Sequence, residues 1–268
     1  MPTNIEELRK PLILTFDTER YPIREALLSI IDDDYGSGIL PTRDLSRIHS
    51  FLDHPFSRNC IDRSGNPISA LQTAWNLNRD KQGETYKRDT QKKDTENYLK
   101  FENIYHLLLK DVIGPSIGGG RVLFQRAPTF RVYLPSTDTN IPMGKMHKDE
   151  DYHHQPSEIN IWLPISDNVH GNNSLWVESE PNLGDFHPLN LDYGQIYRGY
   201  LNQCRHYTNV NDTDLTRVSI DFRLASEQTG GHDPSFHQGS RRGAKARFQK
   251  VFDIGGFYED MVVDVCPL

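Results

Sequence analysis

Thr129-Phe130-Arg131-Val132-Tyr133-Leu134 alternates apolar and polar side chains. Successive side chains of an extended segment point to opposite faces, so Phe130, Val132 and Leu134 share one face while Arg131 and Tyr133 share the other. The first face packs on a core. The second carries a guanidinium and a phenol, groups suited to a polar interior. Similar short runs lie on either side: Val122-Leu123-Phe124-Gln125 before it, and Glu158 to Ile165, Ser174 to Glu178, Gly194 to Leu201 and Arg217 to Leu224 after it. Turns such as Asp167-Asn168 and Gly171-Asn172-Asn173 separate them. Six such strands with no helical pattern between them point to a mainly β fold, an antiparallel sandwich or barrel.

Helical patterning is confined to the first part of the chain. Glu25 to Ile31 has helical composition, and Tyr98, Phe101, Ile104, Tyr105, Leu108 and Val112 recur at helical steps between the cap candidates Asp94 and Thr95 and the stop at Gly114-Pro115. Pro11 to Asp17 is a β-leaning apolar run, a candidate edge strand. Residues 78–95 are strongly polar and read as an exposed loop or cover. Asp32-Asp33-Asp34 lacks the Gly and distal Glu of a calcium loop and reads as a solvated helix end. A chain of 268 residues is expected to form one domain, with a helical part and an edge strand over 1–120, a β core over 121–225 and a C-terminal extension over 226–268. The extension carries the basic cluster Arg241 to Arg247, which reads as solvated surface.

The chemistry centres on Met146-His147-Lys148-Asp149. In an extended segment His147 and Asp149 point the same way and aim an imidazole and a carboxylate at one spot. A third ligand must come from elsewhere, and His206, just ahead of the strand bearing Arg217 and Ser219, is the best candidate. Two histidines and one carboxylate on one face of a metal leave open positions opposite, the arrangement of non-haem Fe(II) oxygenases. His153, His154, His170 and His187 are rival ligands by residue type. They lack a later histidine and an Arg-x-Ser partner in matching order.

His147-x-Asp149, then His206, then Arg217-Val218-Ser219 resembles the 2-oxoglutarate/Fe(II)-dependent dioxygenase superfamily. The wording of Gly171 to Ser179 and Thr216 to Arg223 resembles its streptomycin-biosynthesis StrG-like, phytanoyl-CoA-dioxygenase-like branch, and the resemblance covers roughly residues 121–225. It implies a double-stranded β-helix, the cupin-like jelly roll, braced by helices. It further implies Fe(II) on His147, Asp149 and His206, with 2-oxoglutarate and O2 in the open positions. Arg217 would meet the far carboxylate of the keto acid, because a planar guanidinium binds it bidentately and keeps its charge, with Ser219 adding a hydrogen bond. Arg223, on the same strand face, is the alternative holder. Asn160 and Arg131 are candidates for contacting co-substrate or substrate, and Tyr133 and Trp176 for the pocket wall. The implied reaction hydroxylates or oxidises a small polar metabolite (an amino-sugar, cyclitol or amino acid) while 2-oxoglutarate is decarboxylated to succinate and CO2. Asp149, where the related halogenases need a vacant site, implies hydroxylation. Two other functions use such ligands: a cupin-like metal-dependent isomerase or hydrolase, and a non-catalytic sugar-binding jelly roll.

Composition narrows the partners. A formal charge of −7 disfavours nucleic acid or an anionic membrane surface, since both need a basic face. No run approaches the ~20 apolar residues of a membrane helix. Met1 to Glu7 is acidic and is not read as a secretory signal. Cys60, Cys204 and Cys266 are widely spaced and odd in number, which suits free thiols and a cytoplasmic enzyme. A small-molecule substrate is expected, and the sequence leaves oligomeric state open.

Overall fold

A computed structural model describes residues 5–35, 40, 42–54, 59–61, 67–69, 96–136, 144–152, 154–233, 254 and 258–264. The polar segment 78–95, the basic cluster 241–247, His153 and Cys266 lie outside these residues.

The spine of the structure is β12 (Arg217–Ser226), a ten-residue strand in a seven-stranded antiparallel sheet. The sheet runs β1 (Leu12–Thr15), β10 (Gln195–Gly199), β7 (Ile159–Pro164), β12, β4 (Gly120–Gln125) and β13 (Tyr258–Val263), and β5 (Thr129–Tyr133) also pairs with β12. On one flank β12 is shared: β5 takes Arg217 to Asp221 and β4 takes Leu224 to Ser226. On the other, β7 follows it from Ser219 to Leu224.

Alternation gives this sheet two chemically distinct faces. Val218, Ile220, Phe222 and Leu224 are fully buried on one side with Phe130, Val132, Ile161 and Leu163. They share a core with Leu27 and Ile31 of α2 (Ile23–Tyr35) and Phe101, Tyr105 and Leu108 of α3 (Glu96–Leu108). These are the apolar stripes that the helical spacing predicts. The Tyr105 ring stands edge-on to Phe222 at 5.1 Å, and its hydroxyl donates to the Gln125 carbonyl at 2.8 Å, so the phenol is buried without losing its hydrogen bond. α3 widens into a π-helical turn over Leu109–Ile113 before Gly114-Pro115 ends it.

The other face carries Arg217, Ser219, Asp221 and Arg223. Across from it lies a four-stranded sheet in the order β6 (Gly144–His147), β11 (His206–Thr208), β8 (Leu175–Val177) and β9 (His187–Pro188). Trp162 and Tyr197 of the large sheet pack with Val177, Leu189, Leu201 and Cys204 in a second apolar cluster that ties the sheets together. Gly199 of β10 pairs with Asn160, and the Tyr197 phenol occupies the space a Cβ at 199 would need.

The expected jelly roll is corrected by this topology. The large sheet ends on β1 and β13, the small one on β6 and β9, and neither closes into a barrel. The fold is mixed α/β, two open sheets with bracing helices. Alternation shows that one strand face is buried but not what covers it; here α2 and α3 cover it, where a closed barrel would use its own strands. The run Pro11 to Asp17 does supply an edge strand, β1, and the C-terminal extension contributes the opposite edge, β13. Among the described residues no helix is long and apolar enough to cross a membrane.

Candidate metal centre

Strand pairing builds the site. In the β6–β11 pair His206 lies directly opposite His147, and their ring centroids are 4.3 Å apart. The chain then leaves β6 and enters a 3-10 turn, Asp149–Tyr152, anchored by the Asp149 and Glu150 amides donating to the Leu201 and Asn202 carbonyls. Asp149 therefore reaches the histidines from a turn and not from the extended strand end expected for it. One ligand atom from each of His147, Asp149 and His206 lies within 4.8 Å of the others.

Their surroundings set the protonation that a cation requires. His147 Nδ1 donates to the Lys145 carbonyl at 2.7 Å and His206 Nδ1 to the Cys204 carbonyl at 3.2 Å. These bonds fix both rings by Nδ1, so Nε2 is the nitrogen available to the centre. Burial pushes the His206 imidazolium down to about 4, against the opposing pull of Asp149, so the ring is neutral at pH 7. Burial alone would raise the Asp149 carboxyl. Arg223, His206 and His154 overcome it and hold the group well below the usual carboxylate range. Asp149 Oδ2 accepts from Asn160 Nδ2 at 2.6 Å and from Arg223 Nε at 2.7 Å, which leaves Oδ1, 3.7 Å from His206 Nε2, for a cation. Two imidazole nitrogens and one anionic oxygen facing a cleft fit a divalent metal with open positions.

The cleft, about 610 Å³ including its mouth, runs between the two sheets. Arg217 lines it, 2% exposed, with its guanidinium 4.1 Å over the Tyr133 ring and Nη2 donating to Thr208 Oγ1 at 3.2 Å. Among the described residues its Nε and Nη1 have no partner, nor has the fully buried Ser219 hydroxyl beside it. Arg217 makes no ion pair among the described residues. Burial pushes it down to about 10, the signature of a charge taken out of water without a counter-ion. Arg223, the alternative carboxylate holder, is already committed to Asp149 and, at 3.2 Å, to Asp221. Arg131 donates through Nε to Asp221 at 2.9 Å. Asn160 is clamped to Asp149, with its Oδ1 buried and unpartnered.

The rival histidines are elsewhere. His154 is buried against Glu158 at 2.7 Å, His170 pairs with Asp192, and His187 is exposed. Tyr133 lines the cleft as expected, but Trp176 does not; it stacks on Tyr207 at 6.1 Å. Thr208 and Lys145 line the cleft without having been singled out. Thr208 was within reach of strand alternation, two residues past His206; Lys145 is two residues before His147. A second group, Glu102, His106 and Glu259, also brings its ligand atoms within 4.8 Å of one another, but Arg126 Nε sits 2.7 Å from Glu259 and takes the place of a cation.

No family model matches the chain. Over 150 residues it is 31% identical to the streptomycin biosynthesis protein StrG of Streptomyces griseus, an alignment spanning 56% of this chain and 68% of that protein. Among solved structures it is similar to the non-haem α-ketoglutarate-dependent carbocyclase SnoK from nogalamycin biosynthesis (TM-score 0.43, 12% identity, 84% of this chain and 87% of that one). It is also similar to AviO1 from Streptomyces viridochromogenes (TM-score 0.42, 13% identity, 83% and 93%). These two likenesses are too distant to bear on the site, and the relationship rests on StrG. The 2-His-1-carboxylate group faces this cleft. Sequence kinship establishes that the chain belongs to the StrG family, and its 2-His-1-carboxylate group is the ligand set that non-haem Fe(II) oxygenases use.

Proposed function

We propose that the protein hydroxylates, or otherwise oxidises, a small polar metabolite in a biosynthetic pathway. His147, Asp149 and His206 hold Fe(II), and Arg217 with Ser219 holds the distal carboxylate of 2-oxoglutarate. The observation that carries this reading is Arg217: a buried guanidinium with two unpartnered N–H groups, beside an unpartnered serine hydroxyl, in the same cleft as the ligand group. A dicarboxylate bridging metal and guanidinium satisfies all of them. When bound, Fe(II) supplies the activation of O2 that couples decarboxylation of the keto acid to succinate and CO2 with oxidation of a substrate C–H bond.

The chain's own part is placement. Asn160 and Arg223 fix the Asp149 carboxylate so that one oxygen faces the metal, and the backbone carbonyls of Lys145 and Cys204 fix the imidazoles. The apolar cluster around Trp162 and Leu201 keeps water from that side of the cleft. The biosynthetic setting, with an amino-sugar, cyclitol or amino acid as substrate, is supported by the kinship with StrG. The test is succinate release by the purified protein with Fe(II), ascorbate, 2-oxoglutarate and a panel of such compounds. Release above a His147→Ala control, dependent on O2, is expected. Turnover of a panel compound without O2 or keto acid would instead identify a metal-dependent isomerase or hydrolase.

A further inference from the structure

We infer that the substrate carries an anionic group, a carboxylate or a phosphate, received by Arg131 from the large sheet and Lys145 from the small one. This rests on the assignment of Arg217 to the co-substrate. The two carboxylates at the centre are spoken for: Asp149 accepts from Asn160 and Arg223, and Asp221 is shared between Arg131 at 2.9 Å and Arg223 at 3.2 Å. Two guanidinium charges and two carboxylate charges cancel there. A divalent metal and Arg217 then face the two negative charges of 2-oxoglutarate, leaving one positive charge, and Lys145, which makes no ion pair among the described residues, adds another.

The donors that remain point the same way. Arg131 bonds Asp221 through Nε, and among the described residues its Nη pair, the fork that binds oxyanions, has no partner in the cleft. Arg131 also stands close enough to Arg217 to oppose its charge, and the one carboxylate beside them, Asp221, is already bonded to Arg131 and Arg223. No lining carboxylate among the described residues is left to meet an ammonium group. An amine without an accompanying anion is therefore the wrong substrate class, and an amino acid, or a phosphorylated or carboxylated sugar or cyclitol, is the right one.

The test is thermal shift of the Mn(II)-loaded protein with saturating 2-oxoglutarate, to which inorganic phosphate, glucose 6-phosphate, gluconate or glucosamine is added. A further rise with the anionic probes and none with glucosamine is expected. The phosphate and carboxylate arms separate the two forms of the anion. Arg131→Gln and the exposed-site variant Lys145→Gln are each expected to weaken the anion response about tenfold while keeping the 2-oxoglutarate shift, as loss of a charge-assisted hydrogen bond implies. A response to glucosamine alone, no response to any anion, or an Arg131→Gln protein that loses the 2-oxoglutarate shift and keeps the anion response would overturn the inference. An anion response in wild type without any 2-oxoglutarate shift would support the anion site and count against the co-substrate assignment.

Discussion

At the scale of single residues, Arg217 and Asn160 make the clearest demands. Burial pushes the Arg217 guanidinium down to about 10, so at neutral pH its charge costs the ligand-free fold stability, a cost relieved only as pH climbs past that value. Arg217→Met is accordingly expected to raise the melting temperature of the ligand-free protein. It should also weaken 2-oxoglutarate binding roughly a hundredfold, the worth of a bidentate charge-assisted pair. A scan without ligand and a titration with it read both effects. Asn160 orients a ligand without being one, through its bond to Asp149 Oδ2. Asn160→Ala should lower Co(II) affinity by about 10–100-fold, measured by competition with a chelator, with little change in fold. The convergence of His147, Asp149 and His206 was legible in the sequence because they follow one another in the order and spacing of the resembled family's ligand motif. Trp176 was misplaced because Leu175-Trp176-Val177 is apolar at every position, so alternation gives no phase; the structure turns Val177 into the core and stacks Trp176 on Tyr207.

At the scale of elements, β12 works because its two faces differ. The apolar face is held by α2 and α3. The polar face holds a chain of alternating charge, Arg131, Asp221, Arg223 and Asp149. Burial raises the Asp221 carboxyl, but Arg131 and Arg223 more than reverse this and leave it below its ordinary 3.8. A carboxyl depressed by folding stabilises the protein above its unfolded value, and that stability is lost as pH falls through the folded one. Asp221→Asn, which strands Arg131 and leaves Arg223 with Asp149 alone, should cost about 3 kcal/mol at pH 7. The gap in melting temperature between wild type and variant should close as pH is lowered below 3.8; a gap constant with pH would contradict the charge chain. The strands themselves were readable from alternation and turns. The β6–β11 register that sets His147 opposite His206 was not, because pairing between distant segments leaves no local pattern.

At the scale of the whole molecule, both ends of the described chain join the sheet that carries the site, β1 on one edge and β13 on the other. β13 also reaches inward: the buried Tyr258 hydroxyl donates to Glu158 Oε1 at 2.7 Å, and Glu158 Oε2 holds His154. Tyr258→Phe should cost about 1–2 kcal/mol in denaturant unfolding, as expected when a buried carboxylate loses a donor. The β character of the core was legible. Closure was not: the jelly roll was what the family resemblance implied, whereas helices cover the buried strand faces, and β13 comes from a segment without any recognisable pattern. Function requires metal and diacid to meet in one cleft. Calorimetric titration of 2-oxoglutarate into Mn(II)-loaded protein under anaerobic conditions tests this most directly. One-to-one binding that needs the metal and is lost in both Asp149→Ala and Arg217→Met is the expected result; binding indifferent to the metal, or undiminished in Arg217→Met, would contradict it.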